Sequence, residues 1–277
     1  MSDRGVYSLF DISGKVAVIT GGSGALGGAI ARGLGQAGAR VAIMGRRRDA
    51  CEQRVAELVA LGVEAFAAPC DALDREALTR AAADIEARLG PVDILVNAAG
   101  GNDPRATSSP AQPFFDLDPA AIEAVFAQNM MSVTLPCQIF GQGMAKRGSG
   151  AILNITSMSA MRPLTQVGVY GAAKASVANF TQWLATHMAQ EYSPEIRVNA
   201  LAPGFFLTDQ NRYLLYNTAT ERWTNRGRTI VAHTPMGRLG KPDDLVGAAL
   251  WLVSPAAAFV TGVVVPVDGG FSAYSGV

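Results

Sequence analysis

The chain has 277 residues with 23 basic and 23 acidic side chains, so its formal net charge is zero. That balance argues against nucleic acid or an anionic membrane as partner and points to a small-molecule substrate. Hydrophobic residues make up 49 % of the chain, as expected for parallel strands covered on both faces.

Asp3, Arg4 and Asp11 interrupt the N-terminal stretch, so no signal peptide is read there and a cytoplasmic location is expected. Val16–Thr20 reads as the first strand, and the turn Thr20-Gly21-Gly22-Ser23-Gly24-Ala25-Leu26-Gly27 leads into a helical stretch from Ala29 to Ala37. Gly22, Gly24 and Gly27 fit G-x-G-x-x-G; Thr20, Gly21, Ala25 and Gly27 fit T-G-x-x-x-[G/A]-x-G. In both registers the backbone is stripped of side chains where a pyrophosphate meets a helix N-terminus.

A second strand, Val41–Met44, ends at Gly45, where an enzyme using NAD would carry a carboxylate for the ribose hydroxyl. Arg46, Arg47 and Arg48 follow, and guanidinium groups suit a 2′-phosphate. NADP(H) is therefore the expected cofactor, with NAD(H) as the alternative. Arg48 also reads as part of a solvated helix start.

Helix Ala50–Leu61, strand Ala65–Ala68, and helix Arg75–Leu89 come next. Asp71, between the last two, suits either an adenine amino group or a helix cap. The strand Ile94–Asn97 opens Asn97-Ala98-Ala99-Gly100, small residues that let a cofactor lie close. Gly101–Pro113 reads as a loop, Pro119–Met144 as one long helix, Ile152–Ile155 as a strand and Gly171–Glu191 as a helix. Strand Val198–Ala202 precedes a long insertion, Phe205–Arg238, and helix Asp243–Leu252 and strand Val263–Val267 close the chain.

No charge occurs between Val246 and Val267, but Ser254, Pro255, Gly262 and Pro266 divide that run into helix, turn and strand rather than a membrane span. Strands alternating with helices predict an α/β fold: one doubly wound, seven-stranded parallel sheet of Rossmann type in a single domain over 1–277. The two irregular segments, 101–113 and 205–238, would leave carboxyl ends of strands, where ligands bind in such sheets.

Cys51, Cys70 and Cys137 are scattered, and His187 and His233 are too few and too far apart for a zinc cluster. His233 could line a pocket. No P-loop signature occurs, which excludes that route to phosphate transfer.

Tyr170 and Lys174 lie four apart on one predicted helix face, and Ser157 ends the fifth strand. A free tyrosine has a pKa of about 10, and a fixed ammonium nearby would lower it toward neutrality. Ser157 would steady the developing oxyanion of a carbonyl while Tyr170 gives the proton and a nicotinamide the hydride.

Thr20–Gly27, Asn97–Gly100, Ser157, Tyr170-x-x-x-Lys174 and Pro203-Gly204-Phe-Phe-Leu-Thr208 resemble the short-chain dehydrogenase/reductase family nearly end to end. The resemblance implies a fourth catalytic residue, Asn129, bending the long helix and holding a water that relays protons through Lys174. It assigns Thr208 to the nicotinamide carboxamide and implies a homotetramer built through the helices around Asn129 and Tyr170. The cofactor residues expected are Gly21, Ser23, Gly24, Leu26, Gly27, Arg46, Arg47, Asp71, Ala72, Asn97, Ala98, Gly100, Tyr170, Lys174, Pro203, Gly204, Phe206 and Thr208.

Gly100–Thr107, Ser157–Thr165, Pro203–Arg212, His233–Arg238 and the ending Asp268–Val277 are similar to the D-mannonate oxidoreductase (fructuronate reductase) branch. That similarity implies interconversion of D-fructuronate and D-mannonate. Gly45 departs from the aspartate expected there, and Met130-Met131-Ser132 departs from the wider family's pattern after Asn129.

A hexuronate needs a cation and several hydroxyl partners. Arg162 is the first choice for the carboxylate, Arg105 and Arg212 the second. Asn102, Thr107, Gln210 and Asn211 suit hydroxyls, and Ser157 completes the substrate site. The alternatives are another ketone (a ketogluconate, a polyol or a 3-oxoacyl thioester) or, in a different class, a nucleotide sensor without catalysis.

Overall fold

A computed structural model describes residues 5–208, 215–217 and 222–276. β1 (Val16–Thr20), β2 (Arg40–Gly45), β3 (Ala65–Pro69), β4 (Ile94–Asn97), β5 (Gly150–Ile155), β6 (Ile196–Pro203) and β9 (Val264–Val267) form one sheet. Its strand order is β3-β2-β1-β4-β5-β6-β9, and every pairing is parallel.

The strands are β-branched and apolar because both faces of the sheet are covered. Alternate residues of β1 show this directly: Ala17 and Ile19 join one buried cluster, Val16 and Val18 the other. The first cluster lies under α1 (Ala25–Gln36) and α8 (Val246–Val253), the second under α3 (Arg75–Leu89), α5 (Ser132–Arg147) and α6 (Gly168–Glu191). α2 (Arg48–Ala60) flanks β2 and β3.

The sheet reverses its winding between β1 and β4, so their carboxyl ends diverge into a crevice. This is the expected seven-stranded doubly wound fold.

Three expectations change. The long helix from Pro119 is not continuous: α4 (Pro119–Phe126) passes through a π turn, Ala127–Met131, into α5. The Asn129 side chain donates to the Val125 carbonyl at 2.8 Å, supplying locally a bond that the widened turn takes from the backbone. The predicted helix Asp243–Leu252 begins as a 3₁₀ turn, Pro242–Leu245, before α8. Within the long insertion, β7 (Tyr216–Asn217) pairs antiparallel with β8 (Arg222–Trp223), followed by α7 (Asn225–His233). That segment has its own apolar cluster around Leu215, Ile230 and Leu239.

The uncharged run near the C-terminus divides as expected into α8, a 3₁₀ turn at Pro255–Ala257 and β9. No helix among the described residues is long and apolar enough to cross a membrane.

Candidate active site

The crevice is a cleft of about 1060 Å³ that runs across the carboxyl ends of the strands. Its floor is set by Gly21, whose φ of 66° favours glycine; a Cβ there would lie 2.7 Å from the Ala98 carbonyl oxygen. The turn after β1 is thus pressed onto the end of β4, and Ala99 N–H donates to Thr20 Oγ1 at 3.3 Å. Gly24 caps α1, whose N-terminus opens on the cleft. Bare backbone and a helix N-terminus at one floor are what a pyrophosphate needs, so these residues fit a dinucleotide.

At one end the cleft is lined by Gly45, Arg46, Arg47, Asp71 and Ala72. A Cβ at Gly45 would lie 2.9 Å from Ser23 Oγ and 3.3 Å from Cys51 Sγ, so a larger residue there would need the Ser23 hydroxyl to turn away. Arg48 pairs with Glu52 in solvent, outside the lining. Asp71 lines the cleft while its carboxylate accepts from Leu73 N–H at 3.0 Å; the cap of α3 is Asp74.

At the other end lie Ser157, Tyr170, Lys174, Pro203, Gly204, Phe206 and Thr208. Ser157 follows β5 and caps the 3₁₀ turn Met158–Ala160; Tyr170 and Lys174 stand on the first turns of α6. Lys174 is buried, with its ammonium donating to the Ile155 carbonyl at 2.9 Å and its own carbonyl accepting from Thr156 Oγ1 at 2.7 Å. Desolvation pushes its pKa down to about 8. Its nitrogen is 5.8 Å from the Tyr170 ring centre.

The expected lowering of Tyr170 is not found in the protein alone. Burial raises the phenol, and only a hydrogen bond from Ser157 opposes that. The reason is mutual: the same dry environment that would strengthen the lysine's pull also weakens its hold on a proton.

Asn129 is fully buried in the π turn and does not line the cleft. Its amide donates to the Gly101 carbonyl at 2.7 Å and its oxygen accepts from Gly101 N–H at 3.3 Å. A Cβ at Gly100 would meet Asn129 Oδ1 at 2.8 Å and Lys174 Nζ at 3.1 Å, so the two polar groups bound one small space.

Gly21, Ser23, Gly24, Leu26, Gly27, Ala98 and Gly100 all line the cleft. Asn97 does not. Its amide donates to Asn154 Oδ1 at 2.9 Å and to Cys137 Sγ at 3.2 Å, because its place in β4 turns the side chain into the second core.

Among the described residues, Asn102, Arg105, Thr107 and Arg162 also lie outside the lining. Arg105 is held by Asp103 and Asp118; Asn102 donates to Thr107, within the loop; Arg162 Nε donates to the Ser272 carbonyl at 3.0 Å. His233 is exposed and bonded to the Thr229 carbonyl. Asn211, Gln210 and Arg212 fall outside the described residues.

Two residues were missed in the sequence. Gln128 lines the cleft beside Gly101. Ser159 is buried, and both its N–H, at 3.2 Å, and its hydroxyl, at 3.0 Å, reach Ser157 Oγ. Those donors occupy the lone pairs of Ser157 and leave its proton for Tyr170 or a substrate oxygen. Only the spacing Ser157-x-Ser159 hinted at this.

A profile described as enoyl-(acyl carrier protein) reductase matches residues 22–272. The chain belongs to the short-chain dehydrogenase/reductase family. It is 48 % identical to an uncharacterized oxidoreductase, UxuB, of Bacillus subtilis, over 96 % of this chain and 98 % of that one. A Haemophilus influenza protein, provisionally assigned as a D-mannonate oxidoreductase and solved with bound NAD, superposes with a TM-score of 0.91. It is 39 % identical, with 99 % of this chain and 100 % of that one covered. A gluconate 5-dehydrogenase from Burkholderia cenocepacia, in complex with NADP and tartrate, gives 0.86 at 31 % identity, covering 98 % and 100 %. This short-chain dehydrogenase/reductase is thus an NAD(P)-dependent oxidoreductase acting on a CH–OH group.

Two outcomes test this geometry. Ser159→Ala removes one donor to Ser157, worth about 0.5–1.5 kcal/mol, so kcat should fall about 2- to 10-fold with KM little changed. Lys174 binds fewer protons folded than unfolded between about 8 and its ordinary 10.5, so it makes wild-type stability rise with pH across that window. The rise should be on the order of 3 kcal/mol. Urea unfolding at pH 7 and pH 10 should show this rise in the wild type and not in Lys174→Met, and a turnover assay should find the variant inactive.

Proposed function

We propose that this enzyme is an NADP(H)-preferring oxidoreductase of a sugar acid, interconverting D-fructuronate and D-mannonate. The observation that carries the redox reading is that Ser157, Tyr170 and Lys174 line the same cleft as the glycine turn. Bound dihydronicotinamide supplies the hydride to the carbonyl carbon. The protein's own groups manage the oxygen: the Ser157 hydroxyl donates to it, and Tyr170 delivers the proton that turns it into an alcohol.

Tyr170 is held protonated at neutral pH, which suits the reducing direction. A cationic nicotinamide, present in the oxidising direction, would favour the phenolate. Asn129 and Lys174, meeting at Gly100, are assigned to replenishing the proton through a water.

Arg46 and Arg47 at the cleft wall, with a glycine and no carboxylate at position 45, support NADP(H) over NAD(H). The relatives support a sugar acid. Of the apolar residues of the insertion, Phe205, Leu207, Leu215 and Trp223 are packed with Ile230 and Phe271 rather than offered to an acyl chain, while Phe206 lines the cleft.

A homotetramer through α5 and α6 is the proposed assembly. Trp183 on α6 and Tyr192 just past its end are 55 % and 56 % exposed; His187 stacks on Trp183 and meets Tyr192 edge-on. A cytoplasmic location is part of the same reading.

Oxidation of NADPH and NADH with D-fructuronate, with Tyr170→Phe as the blank, tests the proposal. NADPH should be the better donor and the blank inactive; no wild-type turnover would overturn the substrate. Arg46→Ala should cut kcat/KM for NADPH by about 10- to 100-fold, one charge-assisted bond of about 1.5–3 kcal/mol, and leave NADH nearly unaffected. Equal losses with both cofactors would reverse the assignment of Arg46.

A further inference from the structure

Gln166 is the one non-glycine residue with positive φ among the described residues, at 73°. A side chain in that region is strained, and such strain persists where the surroundings over-determine it. Gln166 lies four residues before Tyr170 and just ahead of α6.

Its backbone carbonyl accepts from Ser108 N–H at 3.0 Å and Ser108 Oγ at 3.3 Å, in the loop after β4. Its side-chain oxygen accepts from Arg226 Nη1 at 2.9 Å, in the first turn of α7. One residue therefore ties together three segments that leave the carboxyl ends of β4, β5 and β6. Glycine would adopt the same φ without strain; what glycine lacks is the amide that holds Arg226.

The partner of Arg226 is neutral. Among the described residues no carboxylate pairs with this half-buried guanidinium, unlike Arg105, held by Asp103 and Asp118, or Arg238, held by Asp244. An arginine has five donors, and the bond to Gln166 uses one, which leaves a fork able to take a carboxylate in bidentate fashion. Arg162 also lacks an acidic partner, but it is exposed and directed at the C-terminal segment through Ser272.

We propose that Arg226, which like Arg105 and Arg162 lies outside the cleft lining but is tied to the segment leading into α6, binds the carboxylate of the sugar-acid substrate, and that Gln166 is the positioning residue which fixes it there. This rests on the sugar-acid reading and adds to it a recognition residue on a segment remote in sequence from Tyr170.

The test is steady-state kinetics with NADPH on D-fructuronate and on D-fructose, its neutral counterpart with CH₂OH in place of the carboxylate. Arg226→Ala should raise KM for D-fructuronate at least 10-fold and erase preference for the acid over the neutral ketose; Arg226→Lys should restore part of it. Gln166→Gly should melt no lower than wild type, because it relieves the positive φ, yet raise KM for the acid about 3- to 10-fold. Arg228→Ala, an exposed neighbour on α7, is the control and should leave KM unchanged.

An unchanged KM in Arg226→Ala, or a rise confined to Arg162→Ala, overturns the role of Arg226 and leaves the sugar-acid reading standing. A wild type that turns over D-fructose as well as D-fructuronate overturns both.

Discussion

Two backbone segments at the centre of the sheet lie too close for side chains to separate them. Gly21 sits against the carbonyl of Ala98, where a Cβ would be 2.7 Å from the oxygen. Small residues are therefore required on both sides, and the cleft floor becomes a continuous strip of backbone from the β1 turn to Gly100. The remaining geometry is referenced to that strip. Gly100 and Gly101 leave it under Asn129, and Asn129 is held there by the π turn. Lys174 approaches the same point from α6, anchored to Ile155.

Buried polar groups locate the catalytic helix more strictly than apolar packing could. Lys174 is clasped to β5 in both directions, by its ammonium on Ile155 and its carbonyl on Thr156. Two turns further along α6, Thr181 accepts from Asn154, which in turn accepts from Asn97. Each such group would carry a desolvation cost if its partner shifted, so the helix has one register against the sheet. Asn97, though absent from the cleft, serves the site by fixing β4 to β5 and β5 to α6.

The fold was legible because its signals are local. Alternating apolar runs and helical stretches located all seven strands of the sheet within one or two residues. The glycine turn, Ser157, Tyr170 and Lys174 were legible because their chemistry demands particular residue types at short spacing. Arg46 and Arg47 were legible by position after β2. The carboxylate candidates were less so: Arg105 looks available in the sequence but is held by Asp103 and Asp118, and Arg162 is turned toward the C-terminal segment by its bond to the Ser272 carbonyl.

What the sequence alone determined is thus the strand and helix pattern, the glycine turn on the cleft floor and the pairing of Tyr170 with Lys174 on one helix. Each follows from residues within one turn or one strand–turn–helix unit. The tertiary structure decided which way side chains face and what occupies them. Asn97 turns into the core, Ser159 crosses to Ser157, and Gln166 meets Ser108 and Arg226 across 58 and 60 residues. It also set the protonation of the pair, holding Tyr170 above and Lys174 below their ordinary values. These depend on burial and long-range contact, and neither is encoded in the spacing of one segment. Desolvation acts on a group only when distant parts of the chain have closed around it.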